Sequence, residues 1–281
     1  ADKAMENAQV MVKDYVQAGF TKIHLDTSMA CKGENTPSFE EVARRTAQLC
    51  MVAEQYAPEL DSLCYVIGTE VPIPGGETET IDTLQITSPD SLDRTIETHI
   101  QAFKEKNLQA ALSRIVSVVV QPGVDFSHTA VTQYSKSSAK KLVAQLSKYK
   151  DIAFEAHSTD YQQTTGLANL VADHHLFLKV GPELTFALRE ALFLLAKIED
   201  ELFKDKASNL IQVVFKTMDN NPKDWINYYH GSIDEQQFLK HYSYSDRIRY
   251  YWDHPDVNSA INKMIKNLDN IDIPEFVISQ F

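Results

Sequence analysis

Five positions in the 281-residue chain set an ionisable or amide side chain at the end of a short apolar run: Asp26, Glu70, Gln121, His157 and Lys179. Carboxylates and imidazoles move protons, an imidazole also binds divalent metals, and a lysine holds anions. His157, in Glu155-Ala156-His157-Ser158-Thr159-Asp160, is either a metal ligand or proton carrier, or a core histidine satisfied by hydrogen bonds. Its place level with four other polar strand ends favours a site. Asp26, followed by Thr27-Ser28, is a site acid or the start of an Asx turn. Glu70 stands between apolar neighbours in Gly68-Thr69-Glu70-Val71-Pro72 and must be paired, hydrogen-bonded or metal-bound to tolerate burial. An ion pair with Lys179 or Arg114 is its structural alternative. Glu77 ends Gly75-Gly76-Glu77, a loop able to carry a general acid over a substrate or simply to lie exposed. His24 alternates with Ile23 and Leu25 and faces either the inside of a barrel or the helices around it. Lys179-Val180-Gly181-Pro182-Glu183-Leu184-Thr185 joins a strand to a helix. Backbone N–H groups at such a start bind phosphate, with Lys179 assisting; a plain turn with Pro182 in the first helical turn is the alternative. His174-His175 reads as a solvated helix end, because adjacent residues on a helix point apart.

The elements that must position these groups alternate along the chain. Strands are expected at 22–26, 63–70, 115–120, 152–157 and 176–180, the third being the most β-branched. Amphipathic helices are expected over 3–18, about 38–56 with Ser38 as cap, 91–107, 138–149, 161–173 and 184–202. Apolar strands alternating with helices mean βαβ units and a parallel sheet, whose strand ends are where ligands bind. A barrel and an open doubly wound sheet both fit. No GxGxxG or GxxxxGKS/T fingerprint follows any strand, which weakens the nucleotide-binding sheet. Beyond residue 203 no convincing strand remains, and aromatic residues crowd the chain. The expected division is therefore 1–203 for the βα units and 204–281 for a helical segment. Within it, Arg247, Arg249, Tyr250, Tyr251 and Trp252 have the composition of a protein interface; a capped helix with surface charges is the alternative.

Twenty-seven Lys+Arg against 39 Asp+Glu leave a formal charge of −12, which argues against a binder of nucleic-acid backbones. No apolar run reaches the roughly 18 residues of a membrane span. Three cysteines, Cys31, Cys50 and Cys64, show no CxxC spacing and read as reduced thiols of a cytoplasmic protein.

The runs Ile23-His24-Leu25-Asp26-Thr27-Ser28-Met29, Tyr65-Val66-Ile67-Gly68-Thr69-Glu70-Val71-Pro72-Ile73-Pro74-Gly75-Gly76-Glu77, Val119-Val120-Gln121-Pro122-Gly123-Val124, Glu155-Ala156-His157-Ser158-Thr159-Asp160 and Ser245-Asp246-Arg247-Ile248-Arg249-Tyr250-Tyr251-Trp252 resemble the Z-subunit family of tagatose-1,6-bisphosphate aldolase. So does Leu178-Lys179-Val180-Gly181-Pro182 with the helix that follows it, and the resemblance spans essentially the whole chain. It implies a TIM-barrel-like α/β fold related to zinc-dependent class II aldolases. It also implies a non-catalytic subunit that supports the activity and stability of a catalytic Y subunit in galactitol and N-acetylgalactosamine catabolism. Some relatives are credited with 4-epimerisation of ketohexose phosphates, so a metal-dependent epimerase or aldolase is the alternative. The family has also been called a tagatose-6-phosphate kinase, which the missing phosphate loop does not support.

By resemblance, zinc or another divalent metal is the implied cofactor. His157 matches the ligand on the seventh barrel strand, and Gln121 stands where the sixth-strand histidine is expected. An amide oxygen binds zinc less well than imidazole. Asp26 resembles the fourth-strand acid and Glu77 the loop acid, with Glu70 a further carboxylate. Gly181 and Thr185 fall at the eighth-strand phosphate site, beside Lys179 and Ser158. Family members are longer, so the chain is expected to be the last five βα units of an eight-unit barrel plus a C-terminal helical segment, within a longer protein. Five units alone leave two raw sheet edges.

Overall fold

The computed structural model describes residues 2–69, 84–269 and 271–281. They form two compact units: 2–69, 84–125 and 131–179 in the first, and 126–130, 180–269 and 271–281 in the second.

The first unit opens with α1 (Asp2–Gln17), β1 (Lys22–His24), α2 (Phe39–Tyr56), β2 (Cys64–Ile67), α3 (Pro89–Glu105), the short α4 (Gln109–Leu112) and β3 (Ile115–Val120). A two-stranded hairpin, β4 (Asp125–Phe126) with β5 (Val131–Thr132), interrupts the alternation; the sequence reading missed it because its strands are two residues each. Then come α5 (Lys136–Gln145), β6 (Ala153–Ala156), α6 (Thr164–Ala172) and β7 (His175–Leu178). Ser38 caps α2 as expected, its hydroxyl accepting from the Glu41 N–H.

Strands β1, β2, β3, β6 and β7 form one parallel sheet in that order, each new strand added to the same edge. This sequential order is that of a barrel wall; a doubly wound sheet reverses direction. Alternate side chains take opposite faces. Ile23, Tyr65, Ile67, Val118, Val120 and Phe154 join the core shared with the surrounding helices. Lys22, His24, Ser117, Val119, Glu155 and His157 have the other parity. β1 and β7 are four strand spacings apart, about 19 Å in a flat sheet. Yet the Lys22 Nζ lies 4.2 Å from the Phe177 ring centroid, and the Lys179 Nζ 2.8 Å from His24 Nδ1. The sheet is therefore curled into a half-barrel, with that second face on the concave side.

The second unit holds α7 (Pro182–Phe203), α8 (Leu210–Asn220), α9 (Ile233–Tyr242), α10 (Pro255–Leu268) and α11 (Glu275–Ile278). Its core brings Leu210, Val214, Met218, Trp225, Tyr229, Ile248, Tyr251, Val257 and Met264 together. The sequence expectation set the division after residue 203; in the structure α7 groups with the helices that follow it, because Ala196 and Ile198 are buried in their core. No helix among the described residues is long and apolar enough to cross a membrane.

Candidate functional site

The concave face of the half-barrel gathers Lys22, His24, Glu155, His157 and Lys179. The pairs arise from strand periodicity: Lys22 and His24 are two residues apart on β1, and Glu155 and His157 two apart along β6 and its end, so each pair shares a face. Lys179 follows β7 directly. Its N–H donates to the Ala156 carbonyl (2.9 Å), and its own carbonyl accepts from the Thr159 N–H (3.1 Å) and hydroxyl (2.9 Å). The chain reaches that clamp through Ser158, whose φ of 53° is left-handed. A non-glycine residue there is a cost that structures carry mostly at constrained functional loops.

Glu155 is the centre. Its side chain is 0% exposed, and Oε2 accepts from Lys22 Nζ at 2.6 Å, while Oε1 accepts from Lys179 Nζ at 2.9 Å and from His157 Nε2 at 3.0 Å. Burial alone would raise this carboxyl, but hydrogen bonds from His157, Lys22 and Lys179 outweigh it and hold the group well below the usual range. Glu155 is therefore a permanent anion. His24 Nδ1 accepts from Lys179, and its Nε2 is buried with no partner among the described residues. Burial first, then the Lys179 charge, lowers His24 from 6.5 to about 4, so it is neutral near pH 7. The two imidazoles meet edge to face with centroids 5.5 Å apart.

His24, Glu155 and His157 offer two imidazole nitrogens and one carboxylate oxygen, all within 4.8 Å of one another. Glu155 Oε1 lies 3.0 Å from His157 Nε2 and 3.6 Å from His24 Nδ1. Those spacings bracket the roughly 3.4 Å between neighbouring tetrahedral ligands of a zinc-sized ion. The donor types, two imidazole nitrogens and one buried carboxylate oxygen, suit zinc, so by chemistry and spacing these residues fit such an ion.

The other expected site residues are placed differently. The Gln121 amide oxygen accepts from the N–H groups of Gly123 (2.8 Å) and Val124 (3.1 Å), so it caps its own turn, in which Gly123 takes a φ of 91°. Asp26 is exposed and accepts from the Ser28 N–H (3.0 Å) and hydroxyl (2.7 Å), the Asx-turn alternative. Glu70 and Glu77 lie outside the described residues. Gly181 and Thr185 belong to the second unit, where Gly181 precedes α7 and the Thr185 hydroxyl donates to Asp246 (2.7 Å). Lys179 is held by Glu155 and His24, and Arg114 pairs with Glu54 (2.6 Å).

Two expectations are corrected by burial. Arg247 and Tyr251 are interior residues of the second unit, not interface residues: the Arg247 guanidinium stacks 3.4 Å from the Tyr228 ring centroid and donates to the Asp224 carbonyl, and the Tyr251 hydroxyl donates to the Asn221 carbonyl. Arg249 and Trp252 are half-buried, the Trp252 indole nitrogen fully so; of these five residues, only Tyr250 is exposed, at 45%. His175 is likewise not a solvated helix end but a buried residue at the start of β7, between the rings of Tyr134 and Phe154.

Lys22 and Glu155 escaped the sequence reading as site residues. Their only signal was a charged residue two positions before a histidine in an apolar strand, repeated on β1 and β6.

Comparison with known proteins agrees with this architecture. The family described as D-tagatose-1,6-bisphosphate aldolase subunit GatZ/KbaZ-like matches residues 1–281. D-tagatose-1,6-bisphosphate aldolase subunit GatZ of Salmonella paratyphi B is 47% identical over 285 aligned residues, covering 100% of this chain and 67% of the relative. The subunit of the same name from Salmonella typhimurium gives the same figures. A crystal structure described as a probable tagatose 6 phosphate kinase from Sinorhizobium meliloti 1021 is 45% identical, with a TM-score of 0.91 over 100% of this chain and 69% of that one. The chain therefore belongs to the GatZ/KbaZ-like family of D-tagatose-1,6-bisphosphate aldolase subunits.

Proposed function

We propose that this chain serves as the accessory subunit of a cytoplasmic D-tagatose-1,6-bisphosphate aldolase in carbohydrate catabolism, supporting a separate catalytic Y subunit. The observation that carries this reading is 47% identity along the entire chain to subunits of that name. The five strands are read as the last five units of an eight-unit barrel, and the exposed Tyr250 ring as the remaining candidate for partner contact. The kinase description of the Sinorhizobium structure is not carried over, because this chain holds no phosphate loop.

The concave cluster supports a second reading, a metal-dependent ketohexose-phosphate epimerase or aldolase. His24, Glu155 and His157 would hold a divalent ion, which would polarise a ketose carbonyl. Lys22 orients the buried Glu155 carboxylate through Oε2, leaving Oε1 turned towards the two imidazoles. The Lys179 ammonium, partly open to solvent, supplies positive charge for a phosphate or enolate oxygen.

The test is the full-length protein purified without its partner, beside His157→Ala. Metal content and turnover of tagatose 1,6-bisphosphate and fructose 6-phosphate are measured, then repeated with the catalytic subunit added. The accessory reading expects no turnover alone, and a partner whose activity and thermal stability rise equally with either version. Bound metal with turnover that disappears in His157→Ala would replace it with the enzyme reading.

A further inference from the structure

The three donor atoms of the cluster already surround a cation. The Lys179 ammonium lies 2.9 Å from Glu155 Oε1 and 2.8 Å from His24 Nδ1, contacting two of the three atoms that a metal would use. The two lysines are not equivalent. Lys22 takes the other carboxylate oxygen, Oε2, which leaves Oε1 to the two histidines and Lys179. Charge makes joint occupancy unfavourable: a dication arriving with both ammonium groups in place would set four positive charges against the one carboxylate of the cluster. The side chain that can leave is Lys179, which is 42% exposed, while Glu155 is 0% exposed. Its backbone stays pinned by Thr159 and Ala156, so only the flexible four-carbon stem needs to swing.

We propose that Lys179 and a divalent metal are alternative cations for one site, so that the metal binds only when the Lys179 ammonium withdraws to solvent and the lysine returns when the metal leaves. No bond between heavy atoms of the protein changes: three metal–ligand bonds form, the two hydrogen bonds from Nζ and the one from His157 Nε2 to Glu155 break, and the His157 proton moves from Nε2 to Nδ1. This inference rests on the metal reading of His24, Glu155 and His157. It adds that the protein weakens its own metal site with a tethered competitor, which makes metal occupancy low and reversible.

The experiment titrates zinc into the full chain by calorimetry and compares Lys179→Met, Lys22→Met and His157→Ala. Methionine keeps the stem and removes the charge. Lys179→Met is expected to bind zinc at least ~10-fold more tightly than the unaltered protein, as removal of a like charge at contact distance requires. Lys22→Met should gain less, and His157→Ala should lose binding. A second readout needs no variant: acetic anhydride labelling of Lys179, followed by mass spectrometry against the exposed Lys150, should speed up when zinc is added, because the amine is released from its carboxylate. If the unaltered protein binds zinc through His157 and Lys179→Met binds it no better, the competition is overturned while the metal reading stands. If no version binds zinc, or His157→Ala binds it unchanged, the metal reading fails and this inference with it.

Discussion

Lowering the pH from 8 to 5 should destabilise the protein through two buried imidazoles outside the metal-type cluster. His99 on α3 is 0% exposed; its Nδ1–H donates to the Thr95 carbonyl at 2.7 Å, and its Nε2 has no partner among the described residues. His175 is equally buried, its Nδ1–H donating to the Leu170 carbonyl at 3.1 Å, with Nε2 again unpartnered. Burial lowers each from 6.5 to about 4. The sign follows from linkage. The unfolded chain binds these protons more tightly than the folded one, so the stability is complete above pH 6.5 and is lost as pH falls towards 4. At pH 5 the unfolded imidazole is nearly all protonated and the folded one only about a tenth, which amounts to ~2 kcal/mol per site and ~4 kcal/mol for both. That is a large part of a typical margin of about 5–15 kcal/mol. Glu155 does not mask the effect, because a depressed carboxyl keeps its contribution until the pH drops below its ordinary value of 4.5. Urea unfolding at pH 8, 6.5 and 5 measures it, on the unaltered chain and on His99→Leu and His175→Phe. His128 and His241 are lowered in the same direction. The diagnostic is therefore the difference between chains: each variant should lose ~2 kcal/mol less than the parent over this window. A parent whose stability is flat from pH 8 to 5, or variants that fall as steeply as it does, would refute the reasoning.

Glu155→Gln should cost about 1–2 kcal/mol, less than a fully buried pair, because Lys22 and Lys179 are 32% and 42% exposed and can rehydrate; chemical unfolding reads the loss, and an unchanged midpoint would count against Glu155 as the centre of the cluster. Asp246→Ala should cost about 3–5 kcal/mol, because it strands the buried Arg189 guanidinium, whose Nε donates to Asp246 at 2.8 Å. Thermal unfolding with Asp246→Asn as comparison checks this; asparagine also tolerates the left-handed φ of 42° at that position, so it should lose less. Burial, helped by the Glu54 charge, pushes the Cys50 thiol up to about 12, so Cys50 should resist thiol reagents at pH 8 in the folded protein and react only on unfolding. Labelling followed by peptide mass spectrometry tests that against Cys31, which is partly accessible.

Much of the first unit was legible in the residues alone. Apolar strand runs alternating with amphipathic helices require a parallel sheet, and Ser38 followed by Glu40 and Glu41 requires a helix start, because both are local patterns with local causes. Polar strand ends pointed to His157 and Lys179 for the same reason. What the residues could not state is which face of a strand lies on the concave side. His24 was left between two orientations, and Glu155 and Lys22 were passed over, because strands buried on both faces carry no polar–apolar contrast to break the tie. Only the curl of the sheet, a property summed over five strands, carries β1 round to face β6 and β7 and turns separate charges into one cluster. Burial in the second unit was decided in the same non-local way. Arginine and tyrosine read as interface residues by composition, but Arg247 and Tyr251 find backbone carbonyls and an aromatic ring inside their own unit. Sequence thus determined the elements and the types of chemistry available. Tertiary packing decided which of those groups meet, because hydrogen-bond and Coulomb energies depend on distances of a few ångströms between residues more than a hundred positions apart.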